Sequence, residues 1–172
     1  VVTRGGGNNL EVNTGIYYTN GNWAPKLDAR YAADGYELAP TDFDTQYEVI
    51  RAGSTVSGPI VRDKVWYIAS YQFTRSLISN VGIDLPRDFD GHYVFTKLTA
   101  QPSAEHRFTV IAQTDPSAID NLDQSDRFVK PEAQYRQAQG GFLTSLQWDW
   151  FISPEMFLET KSLVQKSYIE QY

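Results

Sequence analysis

Apolar and polar residues alternate with a period of two through seven stretches of this chain, each bounded by Gly, Pro, Asp or Asn. Such alternation puts successive side chains on opposite faces of a strand, so the pattern predicts seven β-strands. The first covers about 9–19, with Leu10, Val12, Thr14, Ile16 and Tyr18 on one face and Glu11, Asn13, Gly15, Tyr17 and Thr19 on the other. The second, about 44–57, sets Ile50, Ala52 and Val56 against Arg51, Gly53 and Thr55. The third, about 64–78, sets Val65, Tyr67, Ala69, Tyr71 and Phe73 against Trp66, Ile68, Ser70, Gln72 and Thr74. In the fourth, about 91–101, Val94, Thr96, Leu98 and Ala100 oppose Tyr93, Phe95, Lys97 and Thr99. The fifth, about 106–115, offers Phe108, Val110 and Ala112, with Ile111 breaking the alternation. The sixth, about 134–151, is the cleanest: Phe142, Thr144, Leu146, Trp148 and Trp150 against Ser145, Gln147 and Asp149. In the seventh, about 156–170, Leu158, Thr160, Ser162 and Val164 oppose Glu159, Lys161 and Gln165.

Between these strands, three short proline-bearing turns (57–64, 101–106, 152–155) alternate with three long polar connections over about 20–43, 79–90 and 115–133. Every hairpin is then tight at one end of the sheet and loose at the other. Outer-membrane barrels sort their connections in this way, with short periplasmic turns and long extracellular loops. Several strands run to 11 residues or more, whereas strands of soluble domains usually number about five or six and a bilayer-crossing strand needs about 9–11. Aromatics crowd the tight-turn end: Trp66 and Tyr67, Phe108, then Trp148, Trp150 and Phe151. The expected fold is therefore all-β, an antiparallel up-and-down meander of about seven long strands forming an incomplete segment of a transmembrane β-barrel. The alternative is a soluble secreted β-domain that binds carbohydrate or a surface partner through exposed aromatics.

Composition narrows the function. Mean hydropathy of -0.43 over 172 residues, with no apolar run near the roughly 18 residues of a spanning helix, excludes a helical membrane protein. Aromatic content of 14% suits interfacial girdles. A net charge of -6 argues against a nucleic-acid partner, which needs a Lys/Arg excess. The absence of cysteine removes thiolate chemistry and Cys-ligated metals. Val1-Val2-Thr3-Arg4-Gly5-Gly6-Gly7 has no apolar signal core, so an exported protein is expected to have a further portion ahead of it.

Particular residues then point to a family. Val1-Val2-Thr3-Arg4-Gly5-Gly6-Gly7-Asn8-Asn9 resembles the end of the plug leading into the first barrel strand of TonB-dependent outer-membrane receptors. Ser57-Gly58-Pro59-Ile60-Val61-Arg62-Asp63-Lys64-Val65-Trp66-Tyr67-Ile68-Ala69-Ser70-Tyr71 resembles the second barrel hairpin of the Oar-like branch, whose members often carry a carboxypeptidase-regulatory-like domain. Lys97-Leu98-Thr99-Ala100-Gln101-Pro102 and Glu105-His106-Arg107-Phe108-Thr109 are similar to that branch's next hairpin. The resemblance implies that 1–8 is the plug–barrel joint and 9–172 the N-terminal part of a 22-stranded barrel. It implies a cell-outer-membrane location and partners in membrane lipid, the protein's own plug and, through an N-terminal part outside this sequence, the TonB complex. The implied activity is energised uptake of a large ligand, whether siderophore, cobalamin, glycan or peptide.

Catalytic chemistry has little to stand on. His92 and His106 fall at opposite ends of the fourth-strand region, and no Ser/His/Asp set, P-loop or HExxH is present. No enzyme and no cofactor is therefore expected. The acidic stretch from Asp115 to Asp126 lacks the D-x-D-x-D-G spacing of a calcium loop and, like Asp28, Asp34, Asp42 and Asp44, is read as solvated loop, with Ca²⁺ left open. Alternation assigns Leu10, Val12, Leu98, Val110, Leu146 and Trp148 to lipid, and Glu11, Asn13, Lys97, Gln147 and Glu159 to the lumen. Trp66 and Ile68 fall on the lumen side although apolar. The resemblance supplies a plug for them to pack against, so these two are the candidate plug-facing residues; an interfacial girdle is the competing explanation.

Overall fold

A computed structural model of the chain describes residues 6–23, 30–31, 37–38, 46–79, 85–123 and 130–172. Its strands are β1 (Glu11–Asn20), β2 (Arg30–Tyr31), β3 (Glu37–Leu38), β4 (Gln46–Val61), β5 (Val65–Ser79), β6 (Arg87–Ala100), β7 (His106–Thr114), β8 (Ser117–Asp120), β9 (Gln137–Ser153) and β10 (Met156–Gln171). Eight of them form one antiparallel sheet in the order β1-β4-β5-β6-β7-β9-β10, with β8 laddered between β6 and β9. β2 and β3 form a separate two-stranded ladder within the first long connection. Sequential neighbours pair throughout, as the alternation of short and long connections requires. The fold is the expected all-β, up-and-down meander. Among the described residues, helix is limited to single 3-10 turns at Gly21–Trp23 and Pro131–Ala133.

Three boundaries differ from expectation: β6 begins at Arg87 rather than about 91, its first residues paired with β5 and β8, and proline explains the other two. The Gly58-Pro59 pair reads in sequence as a strand stop. β4 instead continues to Val61, with Pro59 opposite Trp66 and the register shifting between Pro59 and Val61. Proline is tolerated at such a bulge near a strand end, and the last β1–β4 pair, Glu11↔Ser57, comes before it on the side away from the tight turn. The second of the two lies at 115–133, expected to be loop from its first residue. Here β8 resumes the line of β7 in an unbroken register: Val94↔Thr114 is followed by Gly91↔Ser117, and Thr114↔Phe142 by Ser117↔Gln139. Pro116 lacks an N–H and so interrupts the ladder. Its carbonyl still accepts from His92 N at 2.9 Å, and Asp115 N donates to Gly141 O at 3.3 Å. β7 and β8 are one long strand with a proline gap, so the sheet has seven long strands after all.

The registers sort every side chain onto one of two faces. One carries Leu10 beside Gly58, then Val12↔Val56↔Ala69↔Thr96↔Ala112↔Thr144↔Val164 and Tyr67↔Leu98↔Val110↔Leu146. The other carries Glu11↔Ser57↔Ile68↔Lys97↔Ile111↔Ser145↔Leu163. Contacts among the described elements run almost wholly between laddered neighbours, so neither face has a second layer of secondary structure on it. Yet every buried side chain larger than hydrogen, namely Ser57, Ile68, Thr99, Thr109, Ile119 and Ser145, lies on the second face. A single sheet shields one face from solvent by curving toward it. The second face is concave and the first convex.

Glycine permits that curvature where neighbouring strands approach closest. A Cβ on Gly141, which points into the concave face, would run into the backbone carbonyl of Lys166 on β10. On the same face a Cβ on Gly53 would stand 3.2 Å from Tyr71 O. Side chains at these points would push β10 and β5 outward and flatten the sheet.

Candidate membrane-spanning surface

The convex face is apolar where it is most exposed. Val12 is 66% exposed, Ile16 78% and Leu146 51%, and Leu10, Leu98, Val110, Phe142 and Val164 are exposed beside them. A continuous apolar surface of this extent marks a contact with something other than water. All six residues assigned to lipid from sequence, Leu10, Val12, Leu98, Val110, Leu146 and Trp148, share this face. The five assigned to the lumen, Glu11, Asn13, Lys97, Gln147 and Glu159, share the other.

Aromatic rings line both rims of the convex face. At the tight-turn end, Phe108 and Trp148 stack with centroids 6.3 Å apart and planes 5° from parallel. Trp148 and Trp150 continue the stack at 6.0 Å and 6°. His106 lies 5.9 Å from Trp148 and 5.8 Å from Trp150, and Trp148 Nε1 donates to its Nδ1 at 3.3 Å. At the long-loop end, His92 packs 5.3 Å from Phe73 and 6.0 Å from Tyr71, whose hydroxyl is 2.8 Å from His92 Nδ1. Tyr18 meets Trp23 edge to face at the same end. The two histidines thus stand at opposite rims, each within a girdle, and cannot share a metal.

The spacing of the rims follows from register. His92 is level with 116 and Trp150 with His106, so the line from 106 to 116 separates them. At about 3.3 Å per residue and a tilt of about 40–45°, that line rises about 24 Å, close to the roughly 25 Å apolar band of outer-membrane barrels. Beyond the upper rim the convex face becomes charged at once, with Arg75–Asp88 at 3.0 Å and Arg136–Asp120 at 3.4 Å. Between the rims, among the described residues, its one Lys, Arg, Asp or Glu is Lys166, opposite Phe142 one row below the upper rim. From there a lysine stem can carry its ammonium to the rim.

The concave face is polar, and its lower part is a charged lattice: Gln147 Nε2 donates to Asp149 at 2.8 Å and to Glu159 at 3.0 Å. Trp66 and Ile68 both lie on it, with Ile68 6% exposed. Trp66 is engaged by the start of the chain. Asn8 Oδ1 accepts from Trp66 Nε1 at 2.8 Å and from Asp63 N at 3.1 Å, and Asn8 Nδ2 donates to Asp63 Oδ1. Asp63 occupies the left-handed position (φ 60°) of the β4–β5 turn, which Asp tolerates better than most residues. A Cβ on Gly6 would collide with the carbonyl of Tyr67, so only glycine passes there. Residues 6–8 are thus clipped onto the first tight hairpin. This clip was missed in the sequence, where nothing marks an Asn as the partner of a turn 55 residues away.

No grouping of three or more metal-ligating side chains occurs among the described residues. Asp28, Asp34, Asp42, Asp44 and Asp126 lie outside those residues. Of the acids around the last long connection, Asp120 pairs with Arg136. No family model, curated protein or solved structure matches the chain.

Proposed function

We propose that this sheet is part of the wall of a transmembrane β-barrel in the bacterial outer membrane, and that the barrel belongs to a TonB-dependent receptor importing a large ligand. One observation carries the membrane half of this reading: an apolar convex face bounded by two aromatic rims about 24 Å apart. A soluble secreted β-domain, carbohydrate-binding or otherwise, would leave that face in water. Burying a single large aliphatic side chain is worth about 1.5–3 kcal/mol, and the face carries many.

The receptor half rests on the motif from Gly58 to Tyr71 and on the chain start. Its geometry suits that role. Residues 6–8 reach the first hairpin from outside the sheet, as a segment leaving a plug would. In this reading Trp66 and Ile68 form the wall that the plug packs against, lipid covers the convex face, and the TonB complex engages a more N-terminal segment. The wall does no covalent chemistry; it encloses a path.

Cell fractionation of the full-length gene product tests both halves. The protein should sediment with outer membranes and run faster on gels before boiling than after, as folded barrels do. A photo-crosslinker placed ahead of Val1 should capture TonB in energised cells. Recovery in a soluble fraction contradicts the barrel, and outer-membrane recovery without TonB capture contradicts the receptor.

A further inference from the structure

The upper half of the concave face differs from the lower in one respect, its charge. Three adjacent rows cross the sheet there: Asn13↔Thr55↔Ser70↔Phe95↔Gln113↔Leu143↔Gln165, then Gly15↔Gly53↔Gln72↔Tyr93, and Tyr17↔Arg51↔Thr74↔Gly91↔Ser117↔Gln139↔Ile169. They hold mostly amides, hydroxyls and aromatic rings, with Leu143 and Ile169 the aliphatic exceptions, and only Arg51 and, in the row of Tyr93, Asp115 as charges of opposite sign. Two hollows open on this belt. One, of about 390 Å³, lies over the facing Gly15 and Gly53 and is flanked by Tyr17, Arg51 and Gln72. The other, of about 270 Å³, lies over Gly141 and is flanked by Gln113, Gln139 and Gln165. Tyr93, 37% exposed, stands between them and donates to Gln113 Oε1 at 3.4 Å.

We infer that this belt is a subsite for a neutral, polyhydroxylated ligand, an uncharged oligosaccharide, travelling through the lumen. The inference rests on the barrel reading and names the cargo class that reading leaves open. Each sugar hydroxyl is both donor and acceptor, and a primary amide offers both functions side by side. Exposed tyrosines add rigid, amphipathic surface for the apolar face of a sugar ring. An anionic chelate calls instead for clustered Arg or Lys forks, and the belt carries one Arg balanced by one Asp. An extended peptide is held through backbone bonds at a free sheet edge, whereas the backbone beneath both hollows is already paired in ladders. One hollow lies near the lower end of the usual range of ligand clefts, about 300–1,000 Å³, and the other just below it. They fit single sugar units of a chain laid across the sheet.

Titration calorimetry on the full-length receptor in detergent tests this, with maltohexaose, xylohexaose, trigalacturonate and ferric citrate as probes. At least one neutral hexaose should bind in preference to both charged probes. Tyr93→Ala, and the double variant Gln139→Leu with Gln165→Leu, should each weaken that binding tenfold or more. Gln147→Leu, on the same face but in the charged lattice below, should leave it unchanged. Binding of only the charged probes, binding of none, or neutral binding indifferent to the belt variants overturns the subsite. Outer-membrane assembly of every variant is checked first by heat-modifiable mobility. A receptor that assembles but ignores neutral oligosaccharides sinks this inference alone, whereas a chain that never assembles sinks the barrel reading and the inference with it.

Discussion

Replacing Leu146 by Arg separates a lipid-facing surface from a water-facing one by the size of its effect. Leu146 is 51% exposed on the convex face, between Val110 and Ser162. It lies four residues from Trp150 at the lower rim and six from Gly140, which is level with the upper rim. That places it about 10 Å above the lower rim of a band about 24 Å tall, near mid-depth. An arginine at that depth of a barrel's lipid face costs about 2–4 kcal/mol. The neighbouring control is Gln147→Arg. It lies on the concave face between Asp149 and Glu159, where a guanidinium meets two carboxylates already 2.8 and 3.0 Å from the amide it replaces, and it should cost less than about 1 kcal/mol. The assay is urea-dependent folding of the full-length protein into short-chain phosphatidylcholine vesicles. Leu146→Arg should lower the folding free energy by the larger amount and Gln147→Arg by the smaller. On a soluble domain the order reverses or vanishes, since a charge on an exposed apolar face in water is harmless. Equal effects, or a costlier Gln147→Arg, refute the assignment of faces.

Three further outcomes follow from the geometry. On the receptor reading, Trp66→Ala should speed hydrogen exchange of plug amides in the full-length protein while leaving assembly nearly unchanged; wild-type plug exchange with impaired assembly would place Trp66 in a structural girdle. Asn8→Ala removes the acceptor shared by Trp66 Nε1 and Asp63 N and should cost about 0.5–1.5 kcal/mol of chain-start docking, seen as faster proteolysis near residues 6–8; unchanged proteolysis discounts the clip. Gly141→Val sets a branched side chain against the backbone of Lys166 and, on the barrel reading, should reduce the yield of folded protein in outer membranes severalfold, whereas wild-type yield would mean β10 can move aside.

The sequence made the strands and their faces legible because alternation reports directly on which way a side chain points. The phase of Leu10–Val12, Leu98 and Leu146–Trp148 survives intact in the registers. Prolines misled at two places: Pro59 and Pro116 read as strand stops, yet one sits at a bulge and the other inside a continuous register. Ile111 looked like a break in pattern. It holds its place on the concave face between Lys97 and Ser145. What spacing along the chain could not reveal was anything built across strands. The Asn8 clip, the Trp148–His106 contact and the amide belt join residues tens of positions apart. Strand registers must be known before such residues meet.

Trp66 and Trp148 offer the most direct test of the central claim. Trp66 shares its ladder row with Gln147, three strands away, and so lies one residue from the row of Trp148, but on the opposite face. Versions of the full-length protein retaining only one of these two tryptophans within this sheet, the others here and elsewhere changed to Phe, are folded into vesicles with bromine near the headgroup end of the acyl chains. Bromine quenches indole only at contact range, and because strands tilted by about 40–45° set the two rings at different heights, the measurement is repeated with bromine at deeper acyl positions, so that the face is read at every depth. The account predicts strong quenching of Trp148 and almost none of Trp66. Equal quenching of the two, or quenching of Trp66 alone, would contradict a lipid-facing convex surface and a lumen-facing concave one.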